Sequence, residues 1–316
     1  GIGYLGALVF RLTSLRWLLH IPDAWGAVAG WLALSLYSAL FPAVWVWLCA
    51  PRISTKPGTS GPLGRLWTIS PLPWSSRCRY GFLAAALWVA MEMLQARLLT
   101  GFPWNFLGVT QYKITPLIQV ASTTGVYGIS FLVAWISVSF MLAVAAIARK
   151  PGNPWTWLGD AIMPLAVLLM VCSFGFLRTT QQASQPENKI KMALIQPSIP
   201  QTVIFDSGKD GERVKTVMDL SRLALGTKPD LLIWPEASVP RIWDNYTAIT
   251  NMVNLHKTAM ILGADDFERR VGPDGKEEYD FFNSAFMIQP DGQLALPAYR
   301  KRQLVIFGEY IPFEKW

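Results

Sequence analysis

Residues 230–240 read DLLIWPEASVP. A short apolar run, Leu231 to Trp234, is bounded by Pro229 and Asp230 on one side and Pro235 on the other. Such a run is a buried strand that ends in a loop. Glu236 therefore sits at the end of a strand, held rigidly and partly desolvated, which suits a general base. A loop glutamate that caps a nearby helix fits the same position.

Outward from this stretch, strands and amphipathic helices alternate. IKMALIQPSIP (190–200) reads as a buried strand ending at proline, and GERVKTVMDLSRLALG (211–226) has helical spacing. YTAITNMVNLHKTAMILGADDF (246–267) is a helix followed by a strand. FFNSAFMIQPDGQLALPAYRK (281–301) is a hairpin with PDG at its turn. The alternation predicts an α/β domain over residues 190–316. Before it, RTTQQASQPENK (178–189) is a polar linker, which we place at 179–189.

The first part of the chain is built differently. Spanning the hydrocarbon core takes about 20 apolar residues in a helix. Five segments meet or approach that length: 1–20, 24–49, 80–99, 117–147 and 156–177. The first is interrupted by Arg11 and Arg16. Residues 1–178 are thus expected to form a polytopic α-helical membrane domain. Residues 1–188 carry 12 Lys and Arg against four acids, whereas 189–316 carry 16 against 17, so the net +7 resides in the first part. The basic residues flank apolar runs instead of lining a polar face, which excludes a nucleic-acid partner. Arg52, Lys56, Arg65, Arg77, Arg149 and Lys150 lie in loops on one side, and the loop at 100–116 on the other holds only Lys113. The positive-inside rule places 50–79 and 148–155 in the cytoplasm and residues 178–316 outside.

Three cysteines, Cys49, Cys78 and Cys172, and two histidines, His20 and His256, fit no metal site, disulfide framework or Ser-His-Asp triad. We expect neither metal nor cofactor. Lys301, in LPAYRKRQL, follows a strand. A lysine near carboxylates can stabilise an oxyanion, and the same sequence fits a solvated basic turn. Glu309 follows eight residues later, in FGEY.

Together, LLIWPEASVP, FFNSAFM and YRKRQLVIFGEYIPF resemble the motifs of the nitrilase (carbon-nitrogen hydrolase) superfamily. LWVAMEMLQARLLTGFPWNFLG (87–108), GVYGISFL (125–132) and MALIQPSIPQ (192–201) resemble its membrane-embedded branch, the apolipoprotein N-acyltransferases. The resemblance spans nearly all 316 residues. It implies an extracytoplasmic domain with the αββα sandwich of nitrilases and a Glu-Lys-Cys triad. Glu236 would be the base, Lys301 the oxyanion lysine and Glu309 a second carboxylate near the site. An acyl chain would pass from a phospholipid to the cysteine, and then to the free α-amino group of diacylglyceryl-cysteine on an apolipoprotein. Membrane lipid and the diacylated apolipoprotein are the implied partners, and the inner membrane, with catalysis on the periplasmic side, is the implied location.

No cysteine follows Cys172, so the resemblance puts the nucleophile past Trp316 and implies a fragment lacking both ends, inactive on its own. Phe205 takes the place of an aromatic, and Ile306 that of a proline. Gln95 stands where an arginine is expected after Glu92, with Arg97 following; a Glu92–Arg97 pair is one reading of that acid. Phe102 and Trp104, in GFPW, would line lipid entry or act as interfacial anchors. Asn283 and Tyr299 would shape the site. Two other functions fit the same residues: a membrane-anchored amidase with water as acceptor, and a non-catalytic membrane binding protein.

Overall fold

The computed structural model describes residues 1–21, 24–50, 72–148, 154–182, 189–200, 206–236, 242–271 and 275–302, with Val203 and Leu304. The chain divides into two compact units, 1–186 and 187–316.

The first unit is helical. Its helices are α1 (Ile2–Ser14), α2 (Ala24–Ser38), α3 (Leu40–Cys49), α4 (Trp74–Gln95), α5 (Thr115–Ile118), α6 (Ala121–Ala148) and α7 (Leu158–Gln182). Among the described residues, four stretches are long and apolar enough to cross a membrane: Ile2–His20, Trp25–Cys49, Ala121–Ala148 and Leu158–Gln181. This makes the unit a multi-pass membrane unit. The expected span at 24–49 is met by Trp25–Cys49, within which α2 gives way to α3 at Ala39, a residue whose own backbone stays helical (φ −69°, ψ −17°). Pro42 explains the junction: it has no N–H to give Ser38 C=O, and its ring would crowd that carbonyl. The fifth span differs from the sequence reading, since α7 runs on to Gln182.

The span expected at 80–99 is not one of these stretches: helix α4, at 74–95, contains Arg77, Arg79 and Glu92. It packs along α6. Gly81, Ala84 and Ala85 present a thin face there, and a Cβ at Gly81 would lie 3.3 Å from Ser139 Oγ of α6; from α3, the Trp45 indole donates to Ala84 O at 2.7 Å. Arg77 and Glu92 are answered inside the bundle, whereas Arg79 is exposed. Arg77 Nε lies 3.0 Å from both Asp160 oxygens, and Nη2 lies 2.9 Å from Oδ2, with side chains 5% and 1% exposed. Arg77 Nη1 donates to Leu72 O at 2.7 Å. The Glu92–Arg97 pair does not form. Glu92 accepts from the Trp88 indole and from Leu107 N–H, and Arg97 turns outward to Met93 O. Glycine also decides where α7 crosses α5: a Cβ at Gly175 would lie 1.7 Å from Pro116 O.

The second unit is a mixed five-stranded sheet in the order β1 (Met192–Leu194), β2 (Leu231–Ile233), β3 (Ala259–Val271), β4 (Glu277–Ile288), β5 (Leu294–Arg300). β1, β2 and β3 are parallel because helices α8 (Asp210–Leu225) and α9 (Tyr246–His256) carry the chain back between them. β3, β4 and β5 are antiparallel hairpins, and Gly292 makes the second turn with φ +85°. Val217, Leu225, Leu232, Ile249, Val253, Met260, Leu262 and Ile288 are almost fully buried and form one core. Among the described residues there is this one mixed sheet with its helices, where the αββα sandwich that the resemblance implies has two sheets.

β1 departs from the buried strand expected at 190–200. Only three residues pair, and Met192 and Leu194 point outward, because they lie on the face of the sheet opposite the core of Leu232 and Met260; among the described residues β1 pairs with β2 alone.

Candidate active site

Strand β2 ends the way a catalytic strand must. Its ladder extends one residue further, through Trp234 N–H to Ile261 O at 2.9 Å. The Trp234 indole is buried and donates to Ser221 Oγ on α8 at 2.7 Å, and that hydroxyl donates to Val217 O at 2.7 Å. Pro235 follows, with φ fixed by its ring. The next side chain, Glu236, is therefore delivered from a rigid point at the carboxyl end of a parallel strand.

Two donors meet it. Lys301 Nζ lies 3.1 Å from Glu236 Oε1, and Asn283 Nδ2 donates to the same oxygen. The Glu236 side chain is 60% exposed and that of Lys301 29%. Asn283 and Lys301 are tied through the backbone, since Lys301 N–H donates to Asn283 O at 2.8 Å. Asn283 lies opposite Asp265 on β3, and Ser284 lies opposite Arg300 on β5. Three elements thus place a carboxylate, an ammonium and an amide within hydrogen-bond reach. This arrangement can hold a base and, beside it, a cation for developing negative charge. No group of three or more His, Cys, Asp or Glu able to hold a metal occurs among the described residues.

Arg300 braces the end of β5. Its guanidinium donates to Asp266 Oδ2 at 2.8 Å and Glu268 Oε2 at 2.6 Å, and sits 4.0 Å above the Phe282 ring centroid. The hydrogen bond to Glu268, then that to Asp266, raise its pKa above the usual arginine value.

Family comparison agrees with this architecture. The model of the apolipoprotein N-acyltransferase N-terminal domain matches residues 1–139, and the carbon-nitrogen hydrolase model matches 191–316. The chain belongs to the apolipoprotein N-acyltransferase family. It is 37% identical over 235 residues to the apolipoprotein N-acyltransferase of Geobacter metallireducens, covering 72% of this chain and 43% of that protein. It is 30% identical over 243 residues to that of Rickettsia prowazekii, covering 74% and 45%. With that of Bradyrhizobium diazoefficiens it is 30% identical over 239 residues, covering 73% and 43%. The chain spans less than half the length of the curated relatives it matches.

Within this acyltransferase fold, the structure brings together Glu236, Lys301 and Asn283. Tyr299 is exposed on β5 opposite Ala285, two residues before Lys301. Glu309 and Phe205 lie outside the described residues. Phe102 and Trp104 belong to the helical unit, their rings stacked with centroids 6.0 Å apart. Sequence reasoning missed Ser221 and Arg300. Arg300 could have been found as a basic residue of β5 facing the acids of β3; Ser221 gave no signal.

Proposed function

We propose that this chain carries the membrane domain and part of the catalytic domain of an apolipoprotein N-acyltransferase. The division we propose is 1–178 for the helical domain, 179–189 for the linker and 190–316 for the catalytic domain. Glu236 takes the proton of a cysteine thiol supplied from outside these residues, since Cys49, Cys78 and Cys172 all belong to the helical unit. The thiolate attacks the ester carbonyl of a phospholipid, and Lys301 stabilises the tetrahedral oxyanion. The lysophospholipid leaves with the proton that Glu236 held, and a thioester remains. The α-amino group of the diacylglyceryl-cysteine then attacks the thioester, regenerates the thiol and becomes an amide. Asn283 orients Glu236; Tyr299, Phe205, Phe102 and Trp104 contact lipid, and Glu309 supplies the second carboxylate. The basic residues Arg52, Lys56, Arg65, Arg149 and Lys150, which flank apolar stretches in the sequence, support an inner-membrane location with the catalytic domain on the periplasmic side.

The observation that carries this reading is the 3.1 Å contact of Lys301 Nζ with Glu236 Oε1, a base and a cation on one site. The test is transfer of a labelled acyl chain from phospholipid to a synthetic diacylglyceryl-cysteine peptide. Transfer by the full-length enzyme, lost in Glu236→Gln and in Lys301→Ala, is the expected result. Release of free fatty acid with no amide product would instead make water the acceptor and overturn the reading.

A further inference from the structure

The GFPW loop of the helical unit is held from beneath by buried polar side chains. Gln95, at the end of α4, is 2% exposed. Its amide nitrogen donates to Phe102 O at 2.8 Å and to Trp104 O at 3.1 Å, and its oxygen accepts from Arg11 Nη2 at 2.9 Å. Arg11 Nη1 reaches Trp104 O at 3.5 Å. Phe102 N–H returns to Gln95 O at 2.8 Å. Glu92, one turn earlier and 5% exposed, accepts from the Trp88 indole at 2.9 Å and Leu107 N–H at 2.7 Å, both on Oε1. Gly101 allows the tight entry: its φ is +86°, and a Cβ there would lie 2.0 Å from Ala96 O. Both ends of the loop are therefore fixed to one face of α4.

The grip serves the aromatic side chains above it. Trp104 stacks on Phe102 and lies 5.0 Å from Trp17, yet Trp104 and Trp17 remain about half exposed. Apolar rings held open to their surroundings on a buried polar frame suit an amphipathic acyl ester, because the frame prepays the ordering of the loop.

We propose that Gln95 and Glu92 are positioning residues of the loop at 101–107, fixing Phe102 and Trp104 beside Trp17 as a preformed platform for a phospholipid acyl chain. The lipid in this statement rests on the acyltransferase reading; the fixing of the loop does not. Oε1 makes both hydrogen bonds of Glu92, so the carboxamide oxygen of glutamine can accept the same two.

Hydrogen exchange of the enzyme in phosphatidylglycerol–phosphatidylethanolamine nanodiscs, paired with phospholipid kinetics, tests this. In Glu92→Leu and Gln95→Leu, amides of 101–109 are expected to exchange about tenfold faster or more, the loss of one or two charge-assisted or buried bonds. Amides of α6 stay unchanged, and Glu92→Gln keeps wild-type exchange. The KM for phospholipid rises about tenfold in the leucine variants, with kcat retained, as loss of uniform binding requires. Unchanged loop exchange in the leucine variants overturns the proposal. So does faster exchange throughout α6, which would make the network general support for the bundle, and so does a loosened loop with wild-type KM. Wild-type enzyme that transfers no acyl chain would sink the acyltransferase reading, while the exchange data would still decide the positioning role.

Discussion

Lys301 Nζ and Asn283 Nδ2 converge on one oxygen of Glu236, Oε1. The other oxygen is thereby left to accept a proton, and the two donors fix which one it is. Replacing Glu236 by glutamine removes the base while keeping the shape. The expected outcome is a fall in kcat for acyl transfer of about 10²–10⁴-fold, the range for a positioned acid–base group. A wild-type rate in the purified variant would rule out Glu236 as the base.

The rigidity behind Glu236 comes from the Trp234 indole and Ser221 Oγ, 2.7 Å apart and buried. Ser221→Ala orphans the indole N–H in the core. It is expected to destabilise the second unit by about 1–3 kcal/mol, the penalty for an unsatisfied buried donor. Chemical denaturation followed by the ellipticity of the sheet would read it, and an unchanged midpoint would contradict the assignment.

Asp160→Ala leaves Arg77 buried without its carboxylate. Breaking one half of a buried pair costs about 3–5 kcal/mol. The double substitution Arg77→Met with Asp160→Leu is expected to lose less than Asp160→Ala alone, because no charge is left stranded. Thermal unfolding in detergent micelles separates the two outcomes; a more stable single variant would refute the pair's role.

Gly175→Ala drives a methyl to within 1.7 Å of Pro116 O, which is backbone and cannot rotate away. The expected cost is about 1–3 kcal/mol of overpacking as α7 shifts off α5. The same thermal assay measures it, and Gly6→Ala, whose Cβ meets nothing, serves as the neutral reference.

How much of this was legible in the residues follows from how local each signal is. The strand ending at Trp234 and the hairpin around Pro290–Gly292 were legible because apolar runs and turn residues act within a few positions. The apolar spans were legible by length. The junction of α2 and α3 at Ala39 depended on Pro42 removing one hydrogen bond inside a continuous apolar run. Exposure of Met192 and Leu194 depended on where β1 falls in the sheet, which no local pattern encodes. Glu236 and Lys301 lie 65 positions apart, and only the family motif suggested that they belong together. The partners of Arg11 and Glu92 were invisible for the same reason: the contact of Arg11 with Gln95 spans 84 positions.

The ion pair between α4 and α7 also has a consequence in time. Arg77 is synthesised 83 residues before Asp160. At ~5–20 residues per second that is roughly 4–17 s of translation. Both charges stand in the first turns of their helices, Arg77 fourth in α4 and Asp160 third in α7, where each can stay hydrated until it meets the other. During that interval α4 has no carboxylate to lean on, so its final seat in the bundle is taken only after α7 emerges from the ribosome. The birth order of the helices is written into the distance between two residues.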